Sequence, residues 1–239
     1  MSELVALLDV QRLDNSIDQL RYKRENLPER AAIADLDTEI ATLNAKTADT
    51  EATRDELRRQ ERDLEAQSRD IAEKAAGLDA KLYGGLVTSP KEATAMTEEI
   101  ANLKARGSDL EDQALELLVE IEPLDEVLVI AEAKRGEFES VRGGHQSTLA
   151  EAEGEIDAEI ATLESERSTA AAQLSEKRLE QYRKMRITYG PDAVIEFDPA
   201  HNGGCPVAMS AVELDRWKHL PAGTLEPCVD CGRLVAKLV

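Results

Sequence analysis

The stretch Tyr83-Gly84-Gly85-Leu86-Val87-Thr88-Ser89-Pro90-Lys91-Glu92 decides how the chain folds. Its adjacent glycines give the backbone the freedom in φ that a helix C-cap or tight turn requires. Ser89, Pro90 and Glu92 then spell a helix start. Ser89 is a capping hydroxyl, Pro90 sits at the first helical position where no amide is needed, and Glu92 closes a capping box. One helix therefore stops before this stretch and another begins directly after it. A connection this short favours the two helices as antiparallel neighbours within one chain, with pairing between chains as the alternative.

On both sides of the turn, apolar residues recur as paired helices demand. Upstream, one column returns every seventh residue: Leu36, Leu43, Thr50, Leu57, Leu64, Ile71 and Leu78. Downstream, Met96, Ile100, Leu103, Gly107, Leu110, Ala114, Leu117, Ile121, Leu124 and Leu128 alternate in steps of three and four. A sustained seven-residue repeat predicts a left-handed supercoil between the two helices. The spacing begins with Val10, Leu13, Ile17, Leu20 and Leu27, and it continues late in the chain through Leu149, Ile156, Leu163 and Ala170. Pro28 interrupts the first helix, because it lacks an amide donor and its ring clashes with the preceding turn. If the hairpin folds about position 87, Pro28 lies opposite Gly143 and Gly144. Breakers at one level predict a shared kink near 28 and 143–144. Pro123, with no breaker opposite, predicts a local distortion only.

Composition agrees with a thin structure. The chain of 239 residues is 3% aromatic and 33% charged, with a formal net charge of −20. Such a mixture cannot fill a thick interior but supplies a narrow apolar seam with solvated flanks. Nowhere does an apolar run reach the ~20 residues of a membrane helix. The opening Met1-Ser2-Glu3-Leu4 lacks the basic start and apolar stretch of an export signal, so a cytoplasmic protein without membrane contact is expected. The acidity repels nucleic acid everywhere except at a local basic patch.

After Arg186 the pattern changes, and 187–239 reads as a small separate domain following a helical hairpin over 1–186. Residues 187–190 and 193–197 read as short strands around the turn Gly190-Pro191-Asp192. Ser210 to Leu220 reads as a helix with a second capping box, Ser210 and Glu213, and Leu225 onward as strand, cysteine knuckle, strand. A domain this small needs a staple. The three cysteines, Cys205, Cys228 and Cys231, are clustered and odd in number, which fits metal binding better than disulfides. Cys228-Val229-Asp230-Cys231-Gly232 is one knuckle. Asn202-Gly203-Gly204-Cys205 is the upstream half, with asparagine where a further thiolate would complete a tetrahedral zinc site. In the alternative reading the cysteines are small buried apolar residues of a ribbon that persists without tight zinc.

These motifs together resemble the bacterial family of C4-type zinc-ribbon proteins with an N-terminal coiled-coil hairpin. The resemblance rests on Leu7-Leu8-Asp9-Val10-Gln11-Arg12-Leu13-Asp14, on the Tyr83–Glu92 turn, on Tyr182-Arg183-Lys184-Met185-Arg186, and on the ribbon with Gly203-Gly204-Cys205, Ser210, Glu213-Leu214 and Cys228–Arg233. It implies a mostly α fold: a long antiparallel coiled-coil hairpin with a small β-rich zinc-ribbon-like domain at the C-terminus. It also implies two CxxC pairs around Zn2+. Three of the four cysteines map onto Cys205, Cys228 and Cys231, and the fourth onto Asn202, with the adjacent His201 as a substitute ligand. His219, at the end of the short helix, is the weaker substitute.

Enzyme chemistry finds no support in the spacing. The CxxC pair lies between short strands, not at a helix start in a βαβ unit as redox chemistry wants. His145 falls among Gly143, Gly144 and Gln146 with no nucleophile arranged around it, and the glutamates form a solvated helix face. Two surfaces remain. Lys177, Arg178, Arg183, Lys184 and Arg186, with Tyr182 and Tyr189 nearby, form a basic cluster able to contact phosphate beside a stacking ring. Some members of the family it resembles are linked to RNA or to transcription-associated partners. The hairpin tip, with Tyr83, Gly84, Gly85, Ser89 and Pro90, is placed to dock on a partner, although chain reversal alone accounts for those residues. The sequence thus predicts a non-enzymatic interaction scaffold, monomeric or homodimeric, that binds a protein partner. An RNA-associated regulator using the basic junction is the alternative.

Overall fold

The computed structural model describes residues 3–85 and 87–239. Met1, Ser2 and Leu86, and the side chain of Asn202, lie outside the described residues. Five helices and three short strands are assigned among them. The helices are α1 (Glu3–Glu25), α2 (Pro28–Tyr83), α3 (Pro90–Ala171), α4 (Glu176–Tyr189) and α5 (Ala211–His219). The strands are β1 (Val194–Glu196), β2 (Leu225–Pro227) and β3 (Leu234–Ala236). The chain divides into two compact units. One runs from Ala32 to His145; the other combines the chain up to Ala31 with Gln146–Val239.

The unit from Ala32 to His145 is a helical hairpin made by α2 and α3. Its seam buries Ile40, Ile71 and Ala75 against Ile100, Leu110, Ala114 and Ile121, which are seam or near-seam positions of the repeat. Long polar residues close the flanks. Asp125 accepts from Arg54 at 3.2 Å and from Arg58 at 2.7 Å, and Arg142 reaches Asp37 at 2.8 Å. The Ser68 hydroxyl donates to Glu111 at 3.0 Å. At the tip the Gly84 amide donates to Ala80, and the Ser89 carbonyl accepts from the amides of Glu92 and Ala93, as a helix start at Pro90 requires. Tyr83 is exposed there.

These cross-contacts correct the expected register. Ser68 meets Glu111 and Arg142 meets Asp37, so the hairpin folds about Ser89–Pro90 and not about position 87. The physical reason is an asymmetric connection: the chain travels from Tyr83 to Pro90 before helix resumes. In the other unit Arg24 and Arg30 both reach Glu153, which places Pro28 well beyond Gly143 and Gly144 along α3. The expected pairing of breakers therefore fails. Pro28 opens α2 after a break at Asn26–Leu27, whereas α3 continues helical through Gly143 and Gly144, and through Pro123.

The other unit is layered. Ile17 and Leu27 pack on Ile156 and Ile160, joining α1 to the last turns of α3. The sheet order is β1-β3-β2, with β1 parallel and β2 antiparallel to β3. Alternation along β3 serves two cores at once. Leu234 and Ala236 face Leu4, Leu7 and Val10 of α1 and Leu179 and Tyr182 of α4. Val235 faces the opposite way, toward Trp217, Met209 and the cysteines. The sheet is thus sandwiched between α1 and α4 on one face and α5 with the thiols on the other. The outer edge of β1 is closed by a side chain: Gln11 Nε2 donates to the Val194 carbonyl at 2.7 Å, and Gln11 Oε1 accepts from the Val194 amide at 2.6 Å.

Two local expectations are corrected. Ile187, Thr188 and Tyr189 are helical, as the end of α4, and not a strand. Their β-branched residues are overruled because Leu179, Tyr182 and Met185 hold one helical face in the core. The long helix expected to run to Arg186 stops at Ala171 and restarts at Glu176, where the Ser175 amide and hydroxyl donate to Glu3 of α1.

Candidate metal centre

The three thiols converge. Cys205 approaches Cys228 at 3.7 Å and Cys231 at 2.8 Å, and all three sulfurs lie within 4.8 Å of one another. Cys205 and Cys228 are buried, and Cys231 is partly exposed. Each arm is shaped by its backbone. In the downstream arm the Gly232 amide donates to the Cys228 carbonyl, and the Cys228 amide to the Arg233 carbonyl, both at 2.8 Å. This closes a turn that presents both sulfurs on one side. In the upstream arm Gly204 has φ +77°, and a Cβ there would stand 2.3 Å from the Glu196 carbonyl oxygen. Only glycine permits that close approach of loop to strand.

The two arms are alike in one further respect. The Val207 amide donates to the Cys205 sulfur and the Arg233 amide to the Cys231 sulfur, each from two residues further along the chain. Amides turned onto sulfur favour thiolate, which is the metal-binding form. The cysteines are not equivalent. Burial, and then the hydrogen bond to Cys231, push the Cys205 thiol up to about 12. Burial also opposes ionisation of Cys231, but hydrogen bonds from Cys205, the Arg233 amide, Cys228 and the Arg233 side chain outweigh it and hold its pKa down. Burial and hydrogen bonding together thus act in opposite senses on these two thiols, favouring thiolate at Cys231 and thiol at Cys205.

This donor set fits a thiophilic divalent ion. Bonds of ~2.3 Å to sulfur in a tetrahedral site put sulfurs roughly 3.8 Å apart; the Cys205–Cys228 distance of 3.7 Å meets this, whereas Cys205 and Cys231, at 2.8 Å, would have to part by about 1 Å to share an ion. No His, Asp or Glu ligand atom joins the three thiols among the described residues. His201 is exposed, and its Nδ1 lies 2.6 Å from the Asp198 carboxylate, which His201 holds below the usual carboxylate range. His219 is exposed at the end of α5, its Nδ1 2.8 Å from the Asp215 carbonyl.

The module around the thiols is held by residues the sequence did not single out for function. The Ser210 hydroxyl accepts from the Glu213 amide at 3.2 Å, completing the expected cap of α5. The Glu213 carboxylate then accepts from Arg216 and, at 3.0 Å, from Trp217 Nε1. Lys237 Nζ donates to three carbonyls at the end of α5, those of Trp217, Lys218 and Leu220. Asp14 ties three helices together, accepting from Arg167 at 2.6 Å and from the Tyr182 hydroxyl at 2.8 Å. Burial, then the bond to Asp14, drive the Tyr182 phenol above its ordinary range.

The basic junction is largely neutralised. Arg186 pairs with Asp18 at 2.6 Å and Lys184 with Glu180 at 2.8 Å; Arg183 lies 3.4 Å from Glu176 and Arg178 3.9 Å from Glu3. Tyr182 is fully buried and offers no ring face to a base. Tyr189 lies beneath the Arg233 guanidinium, 5.0 Å from the ring centroid. Lys177 is exposed.

A paired-helix hairpin joined to a small sheet bearing clustered cysteines defines a class of coiled-coil hairpin proteins. The CT398-like coiled-coil hairpin domain model matches residues 10–190, and the chain belongs to that family. The uncharacterized protein Rv2229c of Mycobacterium tuberculosis H37Rv is 25% identical over 98% of this chain and 94% of its own length. A counterpart in strain CDC 1551 matches equally. Among solved structures, one from Mycobacterium smegmatis aligns with TM-score 0.79 at 18% identity over 100% of both chains. CT398 of Chlamydia trachomatis aligns with TM-score 0.62 at 18% identity, covering 98% of this chain and 97% of its own. The HP0958 protein of Helicobacter pylori aligns with TM-score 0.52 at 17% identity over the same shares. At these identities the likeness shows the fold. No helix among the described residues is long and apolar enough to cross a membrane.

Proposed function

We propose that the protein is a non-enzymatic interaction scaffold whose coiled-coil helices carry a zinc-ribbon-like binding module. One observation carries this reading. A single strand, β3, sends Leu234 and Ala236 into the core shared with α1 and α4, and Val235 into the core that holds the thiols. A module built in this way is fixed to its helices, as an adaptor requires, and is not a tethered domain. Cys205, Cys228 and Cys231 would hold Zn2+, whose contribution is structural: it would close the two arms on each other. Because the thiols must lose protons to bind, zinc affinity rises with pH. Zinc measured on the purified chain and on Cys228→Ser tests the site: stoichiometric metal lost in the variant is expected, and substoichiometric metal in both removes it.

The scaffold reading is tested by affinity purification of the full chain from its native host, with protein and nucleic acid analysed together. A protein partner retained at moderate salt is the expected outcome. Nucleic acid retained in its place, released steeply by salt and by Arg183→Ala with Lys184→Ala, would establish the RNA-associated reading instead. The ion pairs across the basic junction and the burial of Tyr182 favour the protein partner.

A further inference from the structure

Between Leu115 and Ile130, α3 carries more apolar surface than its seam with α2 uses. Ile121 is buried in the seam, but Leu115, Val119, Val127, Val129 and Ile130 stand exposed. Four of them, Leu115, Val119, Val129 and Ile130, line an open groove of about 760 Å³ that also reaches Arg58 of α2. The mismatch is written in the sequence. The facing stretch of α2, from Asp49 to Leu64, offers only Leu57 and Leu64 as large aliphatic residues. A helix with apolar residues on two faces and one polar neighbour is a helix short of a partner.

The charges select the occupant. Every ionisable side chain from Glu111 to Glu132 is acidic. Asp125 is matched by Arg54 and Arg58. Glu122 and Glu126, which also line the groove, have no ion-pair partner among the described residues. A second copy placed here would set these carboxylates against their own counterparts, which is unfavourable. We propose that this groove docks one amphipathic helix of a partner protein, with aliphatic residues on its buried face and Lys or Arg along the rims. Docked there, it completes a local three-helix arrangement with α2 and α3. The proposal rests on the scaffold reading and assigns it a site.

The probe is a labelled helical peptide of leucine and lysine, about 18 residues or five turns long, with a leucine–glutamate peptide of the same pattern beside it. Both are titrated by fluorescence anisotropy against the full chain at moderate salt. The lysine peptide is expected to bind saturably, one per chain, and the glutamate peptide not at all. The double variant Val119→Ser with Ile130→Ser should weaken binding at least about tenfold, because two aliphatic side chains lose their burial. Val212→Ser, on exposed α5, should leave binding unchanged. Since the substituted groups are exposed, unchanged helix content by circular dichroism verifies that the double variant folds. Binding equal in the double variant would mean that charge alone attracts the peptide, and would overturn the proposal. So would a dimer of the wild-type chain that the double variant dissociates. If the host partner is retained equally by wild type and double variant, the groove falls and the scaffold stands. If wild type retains no protein partner, the scaffold itself falls.

Discussion

Removing the Asp14 carboxylate should loosen the junction of three helices. Its side chain is only 14% exposed, it accepts from Arg167 Nε at 2.6 Å and Tyr182 at 2.8 Å, and Arg186 lies 4.0 Å away. A hydrogen bond to a charged group contributes about 1.5–3 kcal/mol, and deleting one member of a buried pair costs about 3–5 kcal/mol because its partners remain. With Arg167 27% exposed, solvent recovers part of that loss. We expect Asp14→Ala to destabilise by about 3 kcal/mol, and Asp14→Asn by about 2 kcal/mol, since an amide can still accept from Tyr182. The assay is equilibrium urea unfolding followed by tryptophan fluorescence. Trp217 is the chain's single tryptophan and is fully buried, and its core shares β3 with the core that holds Tyr182. Asp14→Ala combined with Arg167→Ala should show a coupling of at least about 1 kcal/mol. A loss below about 0.5 kcal/mol for Asp14→Ala, or independent effects in the double variant, would refute the hub.

Glu213 predicts an acid limit for the cysteine-bearing module. Hydrogen bonds from Arg216 hold its carboxyl below the ordinary value of 4.5, so the stability it brings is complete above that value and is lost as pH falls through the depressed one. Glu213→Gln should lower stability at neutral pH and flatten its decline below about pH 4.5, read from Trp217 fluorescence. Lys237→Met keeps the aliphatic stem but removes the ammonium from three carbonyls, and should cost about 1–2 kcal/mol in urea unfolding. Gly204→Ala meets the Glu196 carbonyl at 2.3 Å as well as a positive φ, whereas Gly223→Ala has φ +87° with open space around it. The first should cost more than about 2 kcal/mol and the second about 1 kcal/mol; equal losses would show that the contact is irrelevant.

The hairpin was legible because a period of seven residues and a Gly-Gly…Ser-Pro break are local signals. Its register was not, since the sequence does not reveal how far the connecting segment travels along the helix axis. The strand expected at Ile187–Tyr189 reflects β-branched local preference, which the buried face of α4 overrides. That face was itself visible as Leu179, Tyr182 and Met185 at helical spacing, and reading it would have withdrawn Tyr182 from the stacking candidates. The convergence of Cys205, Cys228 and Cys231 followed from their spacing. The parallel pairing of β1 with β3 did not, because it depends on a contact across the whole small domain. Asp14, Lys237 and Gln11 act through partners distant in sequence, so no local motif announces them. The surplus apolar residues of α3 were present in the sequence but lay outside the seam positions that the repeat draws attention to.

The Gln11 bridge to Val194 has a consequence for how any other chain can approach the sheet. An open strand edge is a template on which a foreign strand can grow, either as a recognition mode or as the first step of aggregation. On the β1 side that template is already filled by an internal amide. On the β2 side it ends at Pro227, which has no amide to give. Recruitment by sheet extension is thereby closed off along β1 and curtailed along β2, which leaves side-chain surfaces to recognise a visitor.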